Sequence, residues 1–267
     1  MALSLPGNTS QNLDAVIAAA AENPQTVGVF SDFDGTLSNL IDDPQAVVPV
    51  GGAVEVVSQL AEVCGRVAIV SGRPVSFLAQ FFDPPVELSG LYGIEHRSDS
   101  EIAVDPTATE WLPVLSNLAA EGTERFGAGV VEDKTYSLTL HYRNVSQKVG
   151  DEVVSWSESK AAEHGLHARS AKMSVELHPP VDRDKGDAIE SMFHGLTAAV
   201  YLGDDVGDRS AFERIGEAVD NGQLQAGAAV LINGVETPGE LLEVVTDELS
   251  TPDQAVELLA KLLGSAT

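Results

Sequence analysis

Apolar residues follow two rhythms along this chain, and the change between them divides it. Over residues 12–21, 53–63, 74–81, 185–193 and 208–215 they recur at helical spacing. Over 27–30, 67–70, 198–202 and 228–232 they form short unbroken runs rich in branched side chains, the pattern of strands buried on both faces. Such strands alternating with helices predict a doubly wound, Rossmann-like α/β fold with a parallel sheet, right-handed crossovers and two C-terminal helices. Ligands of such sheets gather beyond the carboxyl ends of the strands. Three of the predicted strands run there into polar clusters: Asp32-Phe33-Asp34-Gly35-Thr36, Ser71-Gly72-Arg73-Pro74 and Gly203-Asp204-Asp205.

The middle of the chain, roughly 102–177, reads differently. A helix over 107–121 precedes strands over 130–133 and 136–142, the second alternating at period two. A helix over 146–164 leads to strands over 166–170 and 174–177, paired like a hairpin across Ala171-Lys172. This predicts an inserted α+β cap domain with an antiparallel sheet, ending near Pro179-Pro180. The expected division is a core over 1–103 and 180–267 and a cap over 104–179, with hinges near 103–105 and 179–181.

Composition narrows the functions available. With 267 residues and 43% hydrophobic content the chain can bury a core. Forty-one acidic against 15 basic residues leave a net charge of -26, which repels nucleic acid and anionic membranes. An anionic small molecule would need local cations or a metal. The lone Cys64 excludes an intrachain disulfide and reads as a core residue. The first ten residues lack the basic and apolar parts of a signal peptide, and no apolar stretch reaches membrane-spanning length, so a cytoplasmic protein is expected.

Asp32 and Asp34 stand two apart at an extended strand end, so their side chains are expected to converge. Without a basic partner such carboxylates resist joint ionisation, and a divalent cation with a taste for hard oxygen, such as Mg2+, removes that difficulty. One carboxylate could then attack phosphorus while the other handles the leaving-group proton. An Asx turn with a helix cap is the plainer reading of Asp-Gly after a strand. Asp204, Asp205 and Asp208 crowd a second strand end, with Asp204 the best placed ligand and Asp208 able to cap the next helix. Asp205 also suits a solvated acidic loop. Ser71-Gly72 offers a hydroxyl and backbone N–H groups to phosphate, though Ser-Gly before Arg-Pro is ordinary turn chemistry too. Lys185 could neutralise phosphate and hold the nucleophile's carboxylate; a surface lysine is the default alternative.

In this order the four clusters resemble the four motifs of the haloacid dehalogenase (HAD) superfamily. More closely, the chain is similar to trehalose-6-phosphate phosphatases. Besides Asp32 to Leu37, the segments that carry the likeness are Asp42-Asp43-Pro44, Ser71 to Pro74, Leu91-Tyr92-Gly93-Ile94-Glu95, Val131-Glu132-Asp133-Lys134, Ser137, His141-Tyr142-Arg143-Asn144 and Val175 to Pro179. The resemblance implies a stand-alone, Mg2+-dependent phosphatase for the last step of trehalose biosynthesis, working on a disaccharide phosphate through an aspartyl-phosphate. Asp32 would be the nucleophile and Asp34 the general acid and base. Asp32, the Asp34 carbonyl and Asp204 would hold the metal, with Asp205 and Asp208 supporting the metal and the lysine. Ser71, with Gly72 and Arg73, and Lys185 would bind phosphate. Glu132, Lys134, Glu176 and Arg143 would face the sugar, whose hydroxyls suit carboxylate acceptors and a lysine donor; for Arg143 and His141 a plain solvent face is an equal reading. Gly207 and Arg209 depart from the Thr and Glu common in the family. A sucrose-6-phosphate or mannosylglycerate-type phosphatase, or a non-catalytic sugar-phosphate sensor, are the rival readings.

Overall fold

A computed structural model describes residues 10–41, 43–171, 173–181, 183–234 and 239–267. Asp42 of the quoted motif and Lys172 of the expected hairpin turn lie outside the described residues. The chain divides into two compact units, Met1–Ile102 with Arg183–Thr267, and Ala103–Asp182. Among the described residues no helix is long and apolar enough to cross a membrane.

The first unit opens with α1 (Gln11–Glu22), β1 (Val27–Ser31), α2 (Ala53–Val63), β2 (Arg66–Val70), the single turn α3 (Val75–Leu78), and strands β3 (Glu87–Gly90), β4 (Glu95–Ser98) and β5 (Glu101–Val104), the last of which runs across the boundary into the second unit. The second unit contains α4 (Pro106–Thr109), α5 (Leu112–Phe126), β6 (Val131–Asp133), β7 (Leu138–His141), α6 (Gln147–His164), β8 (His167–Ala171) and β9 (Ser174–His178). The chain then returns to the first unit with α7 (Lys185–Glu190), β10 (Ala198–Gly203), α8 (Arg209–Asp220), β11 (Ala226–Ile232), β12 (Asp247–Leu249) and α9 (Pro252–Ala266).

In the first unit the sheet runs β12-β11-β10-β1-β2-β3-β4-β5. From β12 to β3 neighbours are parallel, and β4 turns back antiparallel on β3. Alternate residues of the strands feed two separate cores. Val27, Val29, Val67, Ile69 and Val200 pack with α1, α2 and α9, whereas Phe30, Ala68, Ala199, Tyr201 and Ala229 pack with α7 and α8. Helices thus cover both faces, as the α/β reading of the sequence anticipates. Cys64 is buried at the end of α2, and burial pushes its thiol up to about 11.

In the second unit the antiparallel sheet runs β6-β7-β9-β8. Leu138, Leu140, Val175 and Leu177 point to one face and pack with Leu115 and Leu118 of α5 and Val153 and Trp156 of α6. The register places Glu132 opposite Thr139, Thr139 opposite Glu176, and Glu176 opposite Arg169, a polar row across all four strands.

Several elements differ from the expected ones for physical reasons. The helix expected over 107–121 breaks after α4 and restarts at Leu112, because Pro113 has no N–H to continue the ladder. The expected helices over 74–81 and 185–193 end early in tighter i to i+3 turns, such as Phe81 N–H to Leu78 O and Phe193 N–H to Glu190 O. Strands β3, β4, β5 and β12 were not expected. They are short; β3, β4 and β12 carry polar side chains that leave no apolar run, and that of β5, Ile102-Ala103-Val104, is only three residues long. One C-terminal helix, α9, stands where two were expected; the residues before it form a short 3-10 segment, Gly239–Glu243, and β12.

Candidate active site

Strands β2, β1 and β10 are neighbours, and their carboxyl ends deliver Ser71, Asp32 and Asp204 respectively. Asp32 still belongs to the sheet through its N–H, which donates to Leu202 O at 2.8 Å. Phe33 then turns into the core against Phe77, Phe81 and Phe82, with ring centroids at 5.9, 5.8 and 6.2 Å. That anchor fixes the turn from which Asp34 leaves. Gly35 takes φ +77°, and a methyl built on it would collide with the Asp204 carboxylate. Only glycine meets both demands at once.

The two motif carboxylates have separate cations: Lys185 for Asp32, as the sequence reading allows, and for Asp34 Arg73, which the sequence offers only as a phosphate contact. Asp32 Oδ2 lies 3.0 Å from Lys185 Nζ, both side chains being buried. Asp34 is gripped by Arg73, whose Nε and Nη2 donate to its two oxygens at 2.8 Å each. Arg73 Nη1 donates to Pro44 O at 2.7 Å, and the guanidinium sits 4.4 Å over the Phe77 ring. Ser71 is buried, with its Oγ accepting from Arg73 N–H at 3.2 Å.

Asp208 is the hub. Its Oδ1 accepts from Lys185 Nζ at 2.7 Å and from the Tyr201 hydroxyl, and its Oδ2 accepts from the N–H groups of Asp204 and Asp205 at 2.9 and 3.1 Å. Asp205 accepts from Gly207 N–H at 2.8 Å, which shapes the loop. Tyr201 was not anticipated from the sequence; the signal available was a hydroxyl-bearing ring in an otherwise aliphatic strand. Of the two family departures, Arg209 pairs along its helix with Glu213 at 2.8 Å. Gly207 lies in the Asp205–Asp208 loop.

Carboxylate oxygens of Asp32, Asp204 and Asp208 lie within 4.8 Å of one another. Burial raises the Asp204 carboxyl to about 9, helped by Asp32, Asp208 and Asp205 and opposed by Lys185. Burial likewise raises Asp32, against the pull of Lys185. Burial pushes Lys185 down, but Asp208 and Asp32 outweigh it and hold it protonated above its ordinary value. So many buried carboxyls cannot all ionise around one lysine, whereas a hard divalent cation would satisfy the same oxygens. Asp208 is already saturated by four donors, which leaves Asp32 and Asp204 as the better ligands. Thr36 Oγ1 nearby in sequence is buried without a hydrogen-bond partner among the described residues. The donor set therefore fits a Mg2+-like ion.

In the second unit, Lys134 Nζ and Ser137 Oγ reach Glu176 Oε1 at 3.3 and 2.8 Å, and His141 Nε2 lies 2.8 Å from Glu132 Oε2. Glu132, Lys134 and Glu176 thus belong to one polar face. Arg143 stands exposed beyond β7 and makes no ion pair or hydrogen bond among the described residues.

The Trehalose-phosphatase family model matches residues 30–237. The chain is 31% identical over 264 residues to a trehalose-phosphate phosphatase of Mycobacterium ulcerans, covering 93% of this chain and 65% of that relative, so it spans somewhat under two thirds of the relative's length. Its fold is similar to the Candida albicans trehalose-6-phosphate phosphatase C-terminal domain, at TM-score 0.75 and 21% identity over 98% of this chain and 99% of that one. It is also similar to the C-terminal domain of the C. albicans trehalose synthase regulatory protein, at TM-score 0.66 and 14% identity over 95% and 99% of the two chains. A haloacid dehalogenase-like hydrolase from Bacteroides thetaiotaomicron shares the fold too, at TM-score 0.59 and 16% identity over 88% and 97% of the two chains, and at such identities the likeness speaks for the fold alone.

Proposed function

Because this chain belongs to the trehalose-phosphatase family, we propose that it hydrolyses trehalose 6-phosphate to trehalose and phosphate in the cytoplasm. The observation that carries this reading is the buried Asp32 carboxylate beside Lys185, backed by Asp208 and adjoining Asp204. Asp32 attacks phosphorus, forming an aspartyl-phosphate as the bond to the sugar oxygen breaks. Asp34 gives that oxygen its proton, then takes one from the water that splits the intermediate and frees phosphate and Asp32. Lys185 and Ser71 bind the phosphoryl oxygens, and Arg73 orients Asp34. Asp32, Asp204 and the Asp34 carbonyl would hold Mg2+, which when bound neutralises charge on the phosphoryl group. Glu132, Lys134 and Glu176 recognise sugar hydroxyls.

The test is phosphate release from a panel of sugar phosphates. Trehalose 6-phosphate should lead it, with activity lost in a chelator and restored by magnesium. Preference for sucrose 6-phosphate would move the substrate while keeping the chemistry. Binding without turnover would overturn the reading.

A further inference from the structure

Three successive residues of the first unit, Leu91, Tyr92 and Gly93, hold positive φ of 51°, 58° and 97°. Glycine does so freely, but a leucine and a tyrosine do so only at a steric cost, and such outliers persist where their surroundings over-determine them. Here the surroundings are the Ser71 loop. Leu91 N–H donates to Arg73 O at 3.0 Å and Tyr92 N–H to Ser71 O at 3.2 Å, so the tripeptide hangs on both sides of Gly72. Glu95 Oε2 accepts from Val75 N–H at 2.6 Å and secures the far end of the same loop. The half-buried Tyr92 ring lies directly on Gly72: a methyl built there would stand 2.8 Å from both Cζ and Oη. Any larger residue at 72 would displace the ring.

The same tripeptide reaches two further segments. A methyl on Gly207 would lie 3.7 Å from Tyr92 Cε1, and one on Gly93 would lie 3.5 Å from Ala188 Cβ, in the helix that begins with Lys185. One strained turn therefore touches the segments that carry Ser71, Lys185 and Asp208, and none of its own atoms enters the chemistry described above.

We propose that Tyr92 is a positioning residue for phosphate: its ring, pinned by the left-handed backbone, clamps Gly72 and holds the Ser71-Gly72 loop in the shape that receives a phosphoryl group. The inference rests on the reading of Ser71 as a phosphate contact.

The test uses the magnesium-loaded chain, with inorganic phosphate as competitive inhibitor and trehalose 6-phosphate as substrate. Tyr92→Gly keeps the left-handed backbone and removes the ring. Its melting temperature should not fall, while Ki for phosphate and KM both rise about tenfold and kcat changes less than about threefold. Tyr92→Phe, which keeps the ring, should restore Ki to within about twofold of the unaltered chain. If Tyr92→Gly does not fold, Tyr92→Asn, which also tolerates a left-handed backbone, replaces it in the comparison. An unaltered Ki in the ring-less variant overturns the inference, as does a Tyr92→Phe chain impaired as badly as Tyr92→Gly. Ser71→Ala, measured alongside, separates the two levels. If it leaves phosphate inhibition unaltered, the reading of the loop itself falls; if it weakens inhibition and Tyr92→Gly does not, only the role of Tyr92 falls.

Discussion

Asp32 and Asp34 are two residues apart yet answer to different cations, Lys185 and Arg73. The difference assigns different work. Lys185 is shared with Asp208 inside the protein, so Asp208→Ala should leave Lys185, Tyr201 and two backbone N–H groups short of a partner. We expect a loss of about 3 kcal/mol in chemical denaturation, as for other broken buried pairs. Arg73 instead holds the proposed acid, so Arg73→Met should slow trehalose 6-phosphate hydrolysis at least about tenfold more than hydrolysis of p-nitrophenyl phosphate, whose leaving group needs no proton. Equal losses on the two esters would mean that Arg73 does not act through Asp34. The carboxylates were legible in the sequence because acidic density at strand ends is unusual. Lys185 is legible too, as a candidate to hold the nucleophile's carboxylate. The partner of Asp34 is not: Arg73 reads as a phosphate contact, and nothing in local spacing links it to Asp34, 39 positions away.

At the scale of elements, β1, β2 and β10 were readable because strands buried on both faces must be apolar throughout. The edge strand β12 carries Asp247 and Glu248, and β5 has an apolar run of only three residues, so neither leaves such a mark; Pro113 divides a helix whose apolar spacing is continuous. The turn after β1 is the most demanding junction. Gly35→Ala should cost more than about 1 kcal/mol in thermal unfolding and weaken magnesium binding, because the methyl displaces Asp204. Titration of magnesium into that variant checks the second part. In the antiparallel sheet, Glu176 ties Lys134 to Ser137 across two strands. Glu176→Ala should lower kcat/KM for trehalose 6-phosphate about tenfold to a hundredfold and leave a small generic phosphate ester nearly untouched. Equal losses on both would show that this face does not read the sugar.

For the whole molecule, a net charge of -26 makes an anionic substrate an unfavourable visitor, so the few inward cations and a metal must carry recognition. Without the metal the acidic cluster is a liability that pH exposes. Burial among other carboxylates raises folded Asp204 to about 9, far above the ordinary 3.8 of the free side chain, so the folded state holds the extra proton between the two. Stability of the chelator-treated chain should therefore fall as pH rises through that window, and magnesium should flatten the decline in melting temperature. The central claim, that Asp32 takes the phosphoryl group, is tested most directly by following phosphate release from trehalose 6-phosphate by the unaltered chain and by Asp32→Asn, both in magnesium. The account predicts steady release by the first and loss of at least about a thousandfold in the second, with its fold and melting temperature retained. Appreciable residual turnover by a folded Asp32→Asn chain would contradict it.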